Sequence, residues 1–178
     1  MRKLTTEELN RLSVENFKAS PKLPVVLVLD QVRSHFNVGS VFRTADAFRA
    51  EAIHLCGITG TPPHREIHKT ALGATDSVHW EYYPSTKDSL SILKKKGYRI
   101  FAVEQTDASI PLQKFDPGKT GKIALVFGNE VRGIEEEALA MTEGSIEIPQ
   151  YGTKHSLNLS VTAGIVLWEM LAKLKFLR

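Results

Sequence analysis

The feature that most limits what this chain can fold into is a pair of runs with no polar side: PVVLVLD at 24–30 and KIALVFG at 122–128. A strand with one wet face alternates apolar and polar residues, because successive side chains point to opposite faces. Near-continuous Val, Ile and Leu instead describes strands covered on both sides, the habit of parallel sheets. Four further runs fit strands: EAIHLCG (51–57), SVHWEYY (77–83), YRIFAVE (98–104) and SIEIP (145–149). Helical patterns fall between them near 37–49, 85–96, 134–142 and 157–176. The helix at 85–96 has Ser85 or Thr86 as a cap and Gly97 as its stop. This alternation predicts an α/β fold with a mostly parallel sheet and helices on both faces.

At 178 residues the chain is expected to form one domain over 1–178, with residues 1–23 as a helical extension. MRKLTTEELNRL reads as an amphipathic helix capped at Thr5 or Thr6, with Glu7 and Glu8 in its first turn. It lacks the apolar stretch of a signal peptide, and no run approaches the roughly 18 apolar residues of a membrane span. Cys56 is the one cysteine and sits in AIHLCGI, so a buried thiol without a disulfide is expected, as is a cytoplasmic location. The net charge of +3 and the isoelectric point near 9.0 permit an anionic partner without demanding one.

In open parallel sheets, ligands collect beyond the carboxyl ends of the strands. The segments that follow the strands here are QVRSHFNVGS, ITGTPPHREIHK, EQTD, GNEVRG and PQYGTKHS. Glycine, amide, basic and hydroxyl groups fill all of them, which marks a site. Several familiar motifs fail on spacing. GKT at 118–120 lacks the earlier glycine of a phosphate loop, since Gln113 stands there, and it precedes a strand rather than a helix. His64 and His68 in HREIH have a zinc-like spacing, but the glutamate is misplaced for a metalloprotease and no third ligand follows, so no metal is expected. Ser156 beside His155 lacks a nucleophile elbow.

Three segments carry more. In NVGSVFRTADAF, Asn37 suits an N-cap, while Val38, Val41, Phe42, Ala45 and Phe48 recur at helical spacing and face the core. Gly39 allows another backbone to approach, and Arg43 falls off the apolar stripe. In LVFGNEVRG, Gly128 and Gly133 bracket Glu130 and Arg132 in a tight turn whose backbone amides are expected to be free for a ligand. In IPQYGTKHSLNLS a polar loop faces an apolar helix, with Ser156 as a plausible N-cap.

Taken in order, these segments resemble the three motifs of the SpoU (TrmH) branch of the SPOUT RNA 2′-O-ribose methyltransferases, and HKTALGA at 68–74 resembles the basic segment between the first two. The resemblance runs from about Pro24 to the C-terminus. It implies an α/β sheet with a deep C-terminal trefoil knot, S-adenosylmethionine bound at the knot, and a homodimer formed through the C-terminal helix region, with each site drawing on both chains. Carried over by position, Asn37 and Arg43 are catalytic, Glu130 and Asn158 organise the site, and Ser156 assists. Cofactor contacts are implied at Glu104, Gln105, Phe127, Gly128, Ile148, Ser156 and Leu157, largely through backbone. Gln150 stands where many relatives carry methionine, and Asn129 where many have proline.

The implied reaction is attack of a ribose 2′-hydroxyl on a sulfonium methyl group, for which a protein chiefly supplies orientation and electrostatics. A guanidinium almost never deprotonates. Arg43 is therefore expected to hold the target phosphate and ease alkoxide development rather than act as base. The competing expectation is a catalytically idle RNA-binding protein of the same fold. Many relatives carry an added N-terminal RNA-binding domain, which is not expected here. Arg33, His35, His64, Arg65, Lys69 and Lys154 are then the candidate contacts to a tRNA or ribosomal RNA. The helix at 157–176 bears Leu159, Val161, Ile165, Val166, Leu167, Trp168 and Leu171 around most of its girth, more than one sheet face covers, so a partner surface is expected.

Overall fold

The computed structural model describes residues 1–5, 7–118 and 121–176. Seven strands, β1 (Leu23–Asp30), β2 (Ala50–Cys56), β3 (Trp80–Tyr83), β4 (Arg99–Val103), β5 (Ile110–Pro111), β6 (Ile123–Phe127) and β7 (Ser145–Glu147), form one sheet in the order β3-β2-β1-β6-β4-β7-β5. Every pairing is parallel. The helices are α1 (Val14–Ala19), α2 (His35–Ala47), α3 (Arg65–Ala71), α4 (Ala74–Ser77), α5 (Thr86–Lys95), α6 (Glu136–Leu139) and α7 (Leu159–Lys173).

The unbroken apolar run of β1 has a direct cause. Val25, Leu27 and Leu29 enter one core with Val38, Val41 and Phe42 of α2 and Ala163, Val166 and Leu167 of α7. Val26 and Val28 point the other way, into a second core with Leu90 and Leu93 of α5 and Ala138 of α6. Both faces are dry, so both parities must be apolar. Truncating a buried leucine such as Leu27 to alanine in a core of this kind costs about 2–5 kcal/mol. The half of the sheet that follows β3 is interleaved: β6 lies between β1 and β4, and β7 between β4 and β5. That interleaving brings the carboxyl ends of β4, β6 and β7 side by side.

Several expectations require correction. The N-terminal run forms only a three-residue 3-10 turn at Glu7–Leu9 with no buried residue. Leu4, Leu9 and Leu12 are exposed, so the segment gains no tertiary packing, and short helices are marginal without it. Thr5 does exchange bonds with Glu8 in a capping box; Thr6 lies outside the described residues, as do Lys119 and Thr120 of GKT. Helix α2 begins two residues earlier than expected: Ser34 is its cap, accepting the Asn37 amide at 3.2 Å. Helix α7 is capped by Asn158, not Ser156, and 134–142 keeps helix only over α6. The sequence patterns did not indicate α3, α4 or β5. Helix α3 is held by Ile67 and Ala71 and packs closely on α2. A Cβ on Gly39 would lie 2.1 Å from Thr70 Oγ1 and 2.3 Å from the Ile67 carbonyl oxygen. Cys56 is buried, and burial pushes its thiol up to about 12.

Candidate active site

A pocket of about 400 Å³ opens beyond the carboxyl ends of β4, β6 and β7, within the roughly 300–1,000 Å³ usual for small-molecule sites. Val103, Phe127, Ile146, Ile148, Leu157 and Leu159 give it an apolar lining, to which Glu104, Glu130 and Glu147 add carboxylates. All seven residues expected to hold a cofactor, Glu104, Gln105, Phe127, Gly128, Ile148, Ser156 and Leu157, line it. Their spread over three strand ends explains why linear spacing alone could not assemble them.

The loop after β6 closes on itself. Asn129 and Gly133 exchange backbone bonds, each at 2.9 Å, and Gly133 adopts φ +71°. Gly128 is forced by proximity, because a Cβ there would lie 2.3 Å from the Gly133 carbonyl carbon. Four of the amides expected to be free are in fact taken, those of Asn129 and Gly133 by each other and two more by a side chain. Asn129 Oδ1 accepts those of Val131 (2.9 Å) and Arg132 (3.1 Å), and Asn129 Nδ2 donates to the Gln31 carbonyl at 2.7 Å. Asn129 thus stitches this loop to the end of β1.

The loop delivers Glu130 to the start of α2. Its carboxylate accepts the Arg33 and Ser34 amides, both at 3.1 Å, and the Asn37 side-chain amide at 3.0 Å. Orphan amides at a helix N-terminus favour an anion there. Burial pulls the Glu130 pKa upward, but the loop's own amide, Asn37 and the α2 amides outweigh it, so Glu130 ionises below the ordinary carboxylate value. Asn37 Oδ1 accepts from Asn158 Nδ2 at 3.1 Å, and Asn158 Oδ1 accepts the Ser160 amide as the cap of α7. One continuous chain of hydrogen bonds therefore runs from Glu130 through Asn37 to Asn158, joining all three motifs.

The segment 148–158 forms the remaining wall. Its backbone is tied down by Gln105 Nε2, which donates to the His155 carbonyl at 2.8 Å. Tyr151 and Lys154 are exposed. Of the expected catalytic residues, Glu130, Ser156 and Asn158 line the pocket; Asn37 is buried behind it and bonded to two of them, whereas Arg43 is exposed and does not line it. Helix α2 instead turns Thr44 and Phe48 towards α7, with Phe48 and Trp168 ring centroids 6.0 Å apart. On α7 the residues Val161, Ile165 and Trp168 form one exposed stripe, at 50%, 39% and 58% exposure.

Of the expected RNA contacts, Arg33, Arg65 and Lys69 are exposed around the start of α2 and α3. His35 and His64 stack with ring centroids 3.7 Å apart and planes within 9°, and Glu66 approaches His35 Nδ1 at 3.6 Å. This trio has the composition of a metal site, and the sequence reading missed it because His35 lies far from HREIH. The geometry suits stacking instead. Parallel rings hold their lone pairs in parallel planes, whereas ligands of one ion must converge on it. The His64 Nδ1 lone pair also accepts the Glu66 amide.

A parallel sheet whose carboxyl-edge loops enclose one small-molecule pocket defines an α/β ligand-binding protein of the kind that binds beyond its strand ends. More narrowly, the chain belongs to the SpoU rRNA Methylase family, whose model matches residues 24–168. The tRNA (guanosine(18)-2′-O)-methyltransferase of Thermus thermophilus is 30% identical over 169 residues, which is 95% of this chain and 84% of that protein. The crystal structure of the A. aeolicus TrmH/SpoU tRNA modifying enzyme superposes with a TM-score of 0.80 at 24% identity, covering 92% of this chain and 83% of that one. An AdoMet-bound rRNA methyltransferase from Sinorhizobium meliloti gives 0.78 at 28% identity over 86% of this chain, which spans 61% of that longer protein.

Proposed function

We propose that the chain is an S-adenosylmethionine-dependent methyltransferase acting on a ribose 2′-hydroxyl of tRNA or ribosomal RNA in the cytoplasm. The observation that carries this reading is the Glu130–Asn37–Asn158 chain standing at the rim of a cofactor-sized pocket. The pocket suits S-adenosylmethionine: apolar lining residues for the adenine, and carboxylates among them for a positively charged sulfonium. When bound, that cofactor supplies an electrophilic methyl group on sulfur.

The protein's own part is orientation. Glu130, fixed by the α2 amides, orients Asn37, and Asn37 orients Asn158, so the groups facing the ribose need little rearrangement as the hydroxyl attacks in line. Ser156 offers a hydroxyl on the same wall. Arg43 holds the phosphate of the target nucleotide and offsets negative charge developing on the 2′-oxygen, the proton passing to that phosphate or to water. Because Arg43 is exposed and neither lines its own chain's pocket nor joins the Glu130–Asn37–Asn158 chain, a second copy packed on the α7 stripe supplies it, and the working unit is a homodimer. The interleaved strands after β3 are consistent with the deep trefoil knot of the family. Arg33, Arg65, Lys69 and Lys154 then grip RNA phosphates.

Isothermal titration of the purified protein with S-adenosylmethionine tests this reading. Saturable binding is expected, reduced by Leu157→Glu, which puts a charge among the apolar residues lining the pocket; absence of binding would remove the enzyme reading.

A further inference from the structure

We propose that the stacked His35–His64 pair is a platform for an unpaired RNA base beside the methylated nucleotide, so that the enzyme takes its RNA at a single-stranded segment; this rests on the methyltransferase reading above. Two aromatic rings stacked at 3.7 Å and 9° already form a layered π surface, and a base adds a further layer. The pair is held before any RNA arrives. The His35 ring lies against Gly60, where a Cβ would fall 2.2 Å from His35 Cδ2. His64 is fixed by the Glu66 amide at 3.3 Å. A preformed surface spares the binding step that ordering cost.

Placement connects the platform with the chemistry. His35 and Asn37 share the first turn of α2, and Asn37 belongs to the hydrogen-bond chain at the pocket. Exposed Arg33, Arg65 and Lys69 surround the pair, and Lys69 Nζ stands 5.9 Å over the Phe36 ring, itself 43% exposed. These cations serve backbone phosphates. Glu66, 3.6 Å from His35, opposes a phosphate at the rings themselves, so the rings offer their faces rather than a charge. Only an unpaired base presents an open face to them, since bases within a duplex are covered by their neighbours.

Fluorescence anisotropy with a labelled single-stranded oligoadenylate and a paired RNA duplex of equal length tests this in the full chain, its variants and His64→Phe. His35→Ala and His64→Ala are expected to weaken single-strand binding about tenfold while leaving duplex binding nearly unchanged, and His64→Phe to restore it, as stacking requires. Equal losses on both RNAs, unchanged affinity, no recovery with phenylalanine, or no single-strand binding by the wild type would each overturn the platform. S-adenosylmethionine titration of the same samples is expected to be unaltered by these substitutions. Its absence in the wild type would overturn the methyltransferase reading, and this inference with it.

Discussion

The side-chain amide of Asn37 donates to the Glu130 carboxylate at 3.0 Å, joining α2 to the loop after β6 across 93 positions of sequence. Because the same asparagine accepts from Asn158, its two polar atoms hold a single orientation. An amide that is fixed at both ends is a precise instrument, and removing it leaves its neighbours without partners.

Asn37→Ala tests that role. Asn37 does not line the pocket, so the S-adenosylmethionine Kd is expected to change little, while kcat for methyl transfer falls about a hundredfold, the scale for losing a positioned group. Stability is expected to drop by about 1–3 kcal/mol, because Glu130 and Asn158 lose a partner. Equilibrium urea denaturation and steady-state kinetics on the same samples separate the two effects.

A mixed dimer tests the origin of Arg43. If the partner supplies it, Arg43→Ala and Asn37→Ala chains combined in one dimer leave one intact site, and activity returns to roughly half the wild-type level. If Arg43 serves its own chain, both sites of the mixed dimer are defective and activity stays at that of the single variants.

Trp168→Glu places a charge in the exposed stripe of α7. Light scattering is expected to show a monomer, and RNA methylation is expected to vanish with the dimer. A dimer that survives this substitution would contradict the assigned surface.

Folding stability should also depend on His54. It is buried on β2 with its Nδ1 2.7 Å from the Ser89 hydroxyl, and burial pushes it down to about 4 from 6.5. The unfolded chain takes up this proton near 6.5 and the folded chain only near 4. Stability is therefore fully present above 6.5 and is lost as pH falls through that window, by about 3 kcal/mol. His54→Gln is expected to flatten this part of the urea-unfolding profile. Asp30, whose raised pKa acts in the opposite sense, is present in both proteins and cancels from the comparison.

The fold was legible where both faces of a strand are dry: β1 and β6 announce themselves because Val25 and Val26 serve different cores. Helix α3 was not, since two buried residues, Ile67 and Ala71, hold a turn that otherwise reads as a basic loop. The cap of α2 was misplaced because Ser34 and Asn37 are both able caps, and only the tertiary bond to Glu130 withdraws Asn37 from that role. The loop after β6 could be recognised by its glycines, but Asn129 satisfying its amides is a matter of side-chain direction. The outward placement of Arg43 was hidden for a similar reason: its spacing from Asn37 fixes a helix face, while which face meets the pocket depends on how α2 packs.

The most direct test of the central claim is nucleoside mass spectrometry after incubating the protein with methyl-labelled S-adenosylmethionine and RNA from cells that lack it. The account predicts label in a 2′-O-methylribonucleoside, formed by the wild type and about a hundredfold more slowly by Asn37→Ala. Label on a base, or no transfer to tRNA or ribosomal RNA, would contradict it.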